Sequence, residues 1–497
     1  MRMQILRNDA ERKILEPLRT HGWTPNIERE FPNGLVIAAE RGGHRHKVGL
    51  IYTSATDNKI YKSLAAEVEH IFLNGEPYRV NEYAYGVLDR VSSADDFHSV
   101  LVEWNKTSVD GKFVRESKDA APVEAVAPQS RLLLSEEPIE AIWLRLRQLQ
   151  SVALAKKLIE RRAAAEGVAF DGSVIQSKAE GVAYALRNAS DYFHSREGRT
   201  VSQRVLNLYY GSLAFAFAEM LAAPHGAETL AKIEDSTKVG HGLYTVDGPG
   251  SGLEQIIVGI FSGFFPAWTA SIGQPIDAIP QKKAKRHDDL ASYSETSRIS
   301  VEALFASIPE ISDLFSDIFE SKPRWVTPAG DQMANAGMGL FGTRKPPTRS
   351  YIQLVDGTCR LTKEDIALFP GPIAEIGEVP SEGGGRHFRA AVDHPGKQFW
   401  FEVLKIHHSP LGRQALIQPI FGVVDEYRAV CVALLYALSI IVRYRPSIWR
   451  RVQEGDLDHM RVLIEAFLTV VERVLPEQFL EKITGQRVLA KQPGSFF

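Results

Sequence analysis

Cysteine is nearly absent: Cys359 and Cys431 are the only two in 497 residues. Two thiols cannot build a disulfide framework or a cysteine-rich zinc site, which excludes a disulfide-stapled scaffold and a zinc ribbon. Both read as buried thiols, Cys431 because it lies within an apolar run. Long hydrophobic runs are missing too. The most apolar stretch, VCVALLYALSIIV at 430–442, is followed at once by RYRP. A bilayer helix needs roughly 20 apolar residues, so this run predicts a buried core helix. The N-terminal segment MRMQILRNDAERKILEPL is charged and has no apolar centre of a signal peptide. The expected setting is cytoplasmic, without a membrane partner.

An excess of charge of one sign is also lacking. A formal charge of −3 excludes a generally basic coat for nucleic acid and leaves only local basic patches. No G-x-x-x-x-G-K-[ST] phosphate loop is present. The G-x-G-x-x-G spelled at 337–342 is followed by TRKPPT, whose prolines forbid the helix a dinucleotide fingerprint must open. No cofactor and no metal is expected.

What remains is an ordinary globular balance, 44% hydrophobic and 24% charged, over a length that suits two or three domains. Residues 9–20 place Ile14, Leu15 and Leu18 on one helical face. Two apolar runs, 34–40 and 47–52, flank Gly42-Gly43 and predict a hairpin. Helical spacing follows at 61–72, and a strand is predicted at 78–84. The Ala/Pro-rich stretch 106–137 reads as a linker. From 138 to 235 apolar residues recur at three and four spacings, predicting helices. A further helix is predicted at 300–319. Residues 345–425 turn β-rich, with strands expected in RSYIQLV, GKQFWFEVLKI and QALIQPI. Helices return at 425–443 and 457–474.

Several segments of the second part resemble the YaaC-like family: SQRVLNLYYGSLAFAFAEML, VGHGLY, VEALFASIPEISDLF, LLYALSIIVRYRPSIWRRVQEGD and PEQFLEKITGQ, in that order. Together they span about 139–486. The resemblance implies a mainly helical fold and little chemistry. The order of elements in the first hundred residues resembles the core of PD-(D/E)XK nucleases, which hold Mg²⁺ on an acidic residue and an E-x-K triplet. Here the matching places read Pro32-Asn33-Gly34 and Leu50-Ile51-Tyr52, so such a core would be inactive.

Candidate site residues fall into four groups. Arg443 and Arg445, at a helix exit beside Trp449, suit phosphate or carboxylate, or else satisfy helix-end carbonyls. His241, between glycines in VGHGLY, suits acid–base work, with Arg204 as a companion, or else is a turn histidine bonded to backbone. Arg187 and His194 have the R-x6-H spacing of HEPN ribonucleases, a pattern that also arises by chance. Arg41, Arg45 and Lys47, with His46, form a basic edge that would let the first domain hold nucleic acid. Adjacent His407-His408 on a strand point to opposite faces and rarely share a metal. His44 and His46 read as solvated turn histidines, and KKAKRH at 282–287 as a charged loop.

The sequence thus predicts an α+β chain: a small α/β domain at 1–105, a linker at 106–137, and a large mainly helical YaaC-like domain at 138–497 with a β-rich insertion at about 345–425. The expected function is that of a non-catalytic binding or adaptor component of a bacterial multi-protein system, handling nucleic acid or serving in anti-phage defence. The alternative is a metal-independent ribonuclease or other hydrolase. The partners expected are nucleic acid and a protein, whether another chain or a second copy.

Overall fold

The computed structural model describes residues 2–75, 80–87, 90–98, 100–102, 104–105, 131–194, 200–227, 229–250, 252–277, 279–331, 348–380 and 384–493. The chain divides into two compact units, Met1–Ala125 and Val126–Phe497. The 337–342 glycine motif and most of the linker lie outside the described residues.

In the first unit, a helix of three consecutive segments, Arg2–Ala10, Glu11–Leu15 and Glu16–Thr20, precedes a five-stranded sheet. Its strands are β1 (Thr24–Phe31), β2 (Gly34–Arg41), β3 (His44–Ile51), β4 (His70–Leu73) and β5 (Val91–Ser93), in that spatial order. β1 to β3 form an antiparallel meander, and β4 and β5 add in parallel. Leu6, Ala10, Ile14 and Leu18 recur every four residues, so one helical stripe packs on the Leu35, Ile37 and Val48 face of the sheet. The opposite face, with Val36, Ile51 and Ile71, is covered by Tyr61 and Leu64 of the helix Asn58–Ala65. β2 is therefore buried on both faces, which explains its unbroken apolar run.

The first unit departs from expectation at four places. The helix predicted over 61–72 stops at Ala65, because His70–Leu73 pairs with β3 and pairing overrides the helical spacing. Val80–Tyr83 is a helical turn where a strand was predicted. β1 went unpredicted because TPNIEREF is largely exposed and offers little apolar alternation. His46 is no solvated turn residue either. It stacks on Trp104 at 4.5 Å and bonds Glu69 at 2.9 Å.

The second unit has a helical body. Its helices include Pro138–Gln148, Val152–Ala165, Gly172–His194, Val201–Ala222, Tyr427–Tyr444 and Asp458–Thr484. A capping box from Thr200 and Gln203 starts the fourth of these. The last two pack against that helix, where its Phe215 stacks on Phe479 of the last one. β6 (Arg131–Leu134) pairs in parallel with β16 (Val488–Lys491). β7 (His241–Val246), β8 (Ile257–Gly263) and β9 (Arg298–Ser300) form a small antiparallel sheet.

A six-stranded sheet carries the β-rich segment: β10 (Trp325–Gly330), β11 (Arg349–Asp356), β12 (Ile373–Val379), β13 (Arg386–Asp393), β14 (His407–His408) and β15 (Gln414–Ile417). Their spatial order is β12-β13-β11-β10-β15-β14, over a core of their own. GKQFWFEVLKI is not a strand; its centre is the 3₁₀ turn Trp400–Glu402. The helix expected at 300–319 is broken into Val301–Ala306 and Ser312–Ile318 around Pro309, as a missing backbone donor requires. Asp458–Thr484 instead runs on through Pro476. Cys431 is buried, but Cys359 is exposed in a turn with φ 58°.

Candidate functional site

Two polar clusters of the second unit qualify as sites. The first forms where the Val201–Ala222 helix meets the C-terminal end of Tyr427–Tyr444. His241 is set rigidly there by its glycine neighbours. Gly240, Gly242 and Gly263 have φ of 134°, 82° and 144°, and a Cβ on Gly263 would stand 2.4 Å from the Gly240 oxygen. Side chains are disfavoured by conformation at all three positions, and at Gly242 and Gly263 by space as well. The His241 Nδ1 lies 2.9 Å from the Tyr209 hydroxyl. Burial pushes the Tyr209 phenol far up, followed in effect by Tyr436, so it keeps its proton and shares a hydrogen bond with Nδ1. Burial, then the charges of Arg443 and Lys283, lower the His241 pKa and keep the ring neutral.

Arg443 donates from Nε to the Ser439 carbonyl, from Nη1 to the Tyr210 hydroxyl at 3.0 Å, and from Nη2 to the Ser439 hydroxyl. All three partners are neutral. Lys283 rests over the Phe261 ring at 4.9 Å. Among the described residues no carboxylate lies within ion-pair distance of either cation. Aromatic rings extend the cluster: Tyr192 stacks on Tyr210 at 6.0 Å, and the Arg443 guanidinium lies 5.0 Å from the Tyr444 ring. Tyr444 is 64% exposed, so this face is open.

The other arginines and histidines singled out by sequence are engaged. Arg204 makes a bidentate pair with Glu472 at 3.1 Å, away from His241. Arg445 pairs with Asp247, while Trp449 donates to Ser202. Arg187 donates to the Gln150 carbonyl, and His194, two turns further on, bonds Ser190 and packs on Trp143 at 4.2 Å. Arg187 and His194 are thus each engaged by neighbours within the chain. In the first unit, Arg41 donates to Asn105, and Arg45 and Lys47 share Glu28. Within 282–287, the amides of Lys285 and Arg286 are capped by Asp289.

The second cluster escaped sequence reasoning. It lines a pocket of about 410 Å³ whose walls include Lys405, His407, His408, Glu426, Gln478 and Lys482. His407 and His408 do face opposite ways, one buried and one exposed. Behind the pocket, His407 Nε2 meets the buried Glu310 carboxylate at 2.7 Å, Tyr427 donates to the same carboxylate at 2.9 Å, and the His407 ring stacks on Tyr427 at 3.8 Å. Burial works to raise Glu310, but the His407 hydrogen bond and charge outweigh it and hold the carboxyl low. His408, exposed at its edge but hemmed in by the protein around it, loses enough hydration that this and the Arg487 charge lower it to about 4, leaving a neutral ring at the pocket. Besides the His407-His408 pair, the sequence signal for this cluster is DEYR at 425–428, charged residues heading a buried apolar helix.

A family model described as YaaC-like Protein matches residues 147–353 and 422–483, more than half of the chain. No curated protein and no solved structure matches it. The first cluster lies wholly within the matched segments. The second lies at a seam: Lys405, His407 and His408 come from the unmatched interval 354–421, which also holds β12 to β15, and Glu310, Glu426 and Gln478 come from the matched body.

Proposed function

The chain belongs to the YaaC-like family, and we propose that it works as a binding component rather than a catalyst, holding a phosphate-bearing strand on the Arg443–His241 face. The observation that carries this reading is that Arg443, alone among the candidate arginines of this unit, has neither a carboxylate nor only a backbone carbonyl for a partner. A half-buried guanidinium on hydroxyls keeps its charge available for phosphate. Tyr192, Tyr210 and Tyr444 beside it supply the ring faces on which unpaired bases stack, at about 1–3 kcal/mol per base. Single-stranded nucleic acid suits this combination better than duplex, whose bases are already stacked.

The test is fluorescence anisotropy of a labelled single-stranded RNA and its DNA counterpart with the full chain, across a salt series. Binding should weaken with salt, and Arg443→Gln should reduce the slope of log K against log salt by about one. Salt-independent or absent binding by the parent chain would sink the proposal. The same probe, run on a gel, addresses the hydrolase reading, since His241 is a neutral imidazole within reach of the face. Cleavage abolished by His241→Ala would replace the binding role with a catalytic one.

A further inference from the structure

The N-terminal end of the Tyr427–Tyr444 helix faces a chamber of about 190 Å³ whose lining includes Arg162, Glu219, Glu426, Arg428 and Lys482. Arg428 is 0% exposed. Its Nη1 donates to Glu219 at 2.5 Å and its Nε to Glu426 at 3.0 Å, while Nη2 donates to nothing among the described residues. Phe479 and Trp268 flank the guanidinium at 4.9 and 5.9 Å and wall it in. Buried donors left unmade are costly, and a site that retains them is poised for an acceptor from outside the chain.

The charge balance points the same way. Three cations line the chamber against two carboxylates. Arg162 uses Nη1 on the Lys482 and Ile483 carbonyls, with Glu166 3.9 Å from its Nη2. The Lys482 ammonium lies 3.9 Å from Glu426, a carboxylate that Arg428 already engages. The 18-residue helix that starts here has no side-chain cap on its first amides, so its positive end also faces the chamber. An acceptor of negative charge bound there would meet the free Nη2 and the Lys482 ammonium together.

We infer that this chamber binds the head of a small organic anion, a carboxylate or a phosphate, between Arg428 and Lys482. The chamber shares Ile272, Glu426 and Lys482 with the 410 Å³ pocket, so the remainder of the ligand extends toward His407 and His408. The β-rich insertion supplies that outer wall, which makes it the determinant of which anion is taken. This site is separate from the Arg443 face and does not depend on the role proposed for it.

The experiment is calorimetric titration and thermal unfolding of the full chain with inorganic phosphate, acetate and glutamate, against sodium chloride at equal ionic strength. Saturable binding by at least one of the three is expected. Lys482→Gln, at a half-exposed side chain, should weaken it at least tenfold while lowering the ligand-free unfolding temperature only slightly, since Arg428 still holds Glu426. Preference for phosphate would identify a phosphate ester as the ligand, and preference for acetate and glutamate a carboxylic acid. No effect beyond chloride from any of the three, or an affinity untouched by Lys482→Gln, would overturn the inference.

Discussion

Two arginines of the helical unit, Arg428 and Arg443, carry a buried or half-buried charge in opposite ways. Around Arg428, carboxylates close in from both sides, Glu219 from one helix and Glu426 from the turn before its own. Around Arg443, every partner is a hydroxyl or a carbonyl. An arginine with carboxylates at 2.5 and 3.0 Å ties the fold together, because removing it strands their charges in a poorly solvated place. An arginine on neutral oxygens can be removed at little cost to the fold, yet it keeps a charge to offer a ligand. The same contrast separates Arg443 from Arg204, which Glu472 holds in a bidentate grip.

The largest expected effect falls on the paired side. Arg428→Leu should destabilise the chain by about 3–5 kcal/mol, read from the denaturant midpoint, because it leaves Glu219 and Glu426 uncompensated. A loss below about 1 kcal/mol would show that the buried pair holds nothing together. Glu310→Gln should cost about 1–3 kcal/mol, because an amide NH2 replaces one of the two carboxylate oxygens that His407 and Tyr427 use and the charge facing His407 is lost.

Acid should sharpen the same contrast. Glu310 and Glu426 are both held low when folded, Glu426 at about 2 through Arg428 and Lys482 despite its burial. Carboxyls depressed in this way stabilise the fold above the unfolded carboxylate range, near pH 4.3, and lose that contribution as the pH falls through their folded values. Stability should therefore decline between about pH 4 and pH 2, and Glu310→Gln should flatten that decline. An unchanged acid limb in the variant would remove Glu310 from the account.

On the unpaired side the effects on stability are small and the diagnostic readout is local. Arg443→Gln should raise the His241 pKa, followed by NMR, since one of the charges that keeps the ring neutral is gone. A His241 that titrates identically in both proteins would separate the two residues and dismantle the first cluster. Smallest of all, Arg445→Ala should change stability by no more than about 0.5 kcal/mol, because its pair with Asp247 is exposed.

The two clusters also differ in how legible they were. His241 could be singled out from the sequence because its glycines announce a backbone that no side chain tolerates. Arg443 could be singled out because it closes an apolar run. That they meet at Tyr209 and Tyr210 could not be read, since those contacts join residues 32 and 233 positions apart. The seam cluster was harder still. Glu310 and His407 are 97 positions apart, and the His407-His408 pair, read only against a shared metal, gives no hint of a buried carboxylate partner. Arg187 and His194 show the reverse, a legible spacing whose members face different neighbours. Of the fold, the long helices and the 34–51 hairpin followed from apolar periodicity. β1 and β4 did not, because exposure blunted the first pattern and sheet pairing overrode the second.

The most direct test of the central claim sets Arg443→Gln beside Arg204→Gln in one pair of assays, strand binding and denaturant stability. The account predicts that Arg443→Gln weakens binding about tenfold, roughly 1.4 kcal/mol, and leaves the unfolding midpoint in place. Arg204→Gln should lower stability by up to about 1 kcal/mol and leave binding unchanged. If both variants lose stability and neither loses binding, Arg443 is one more structural arginine and the proposed face has no role.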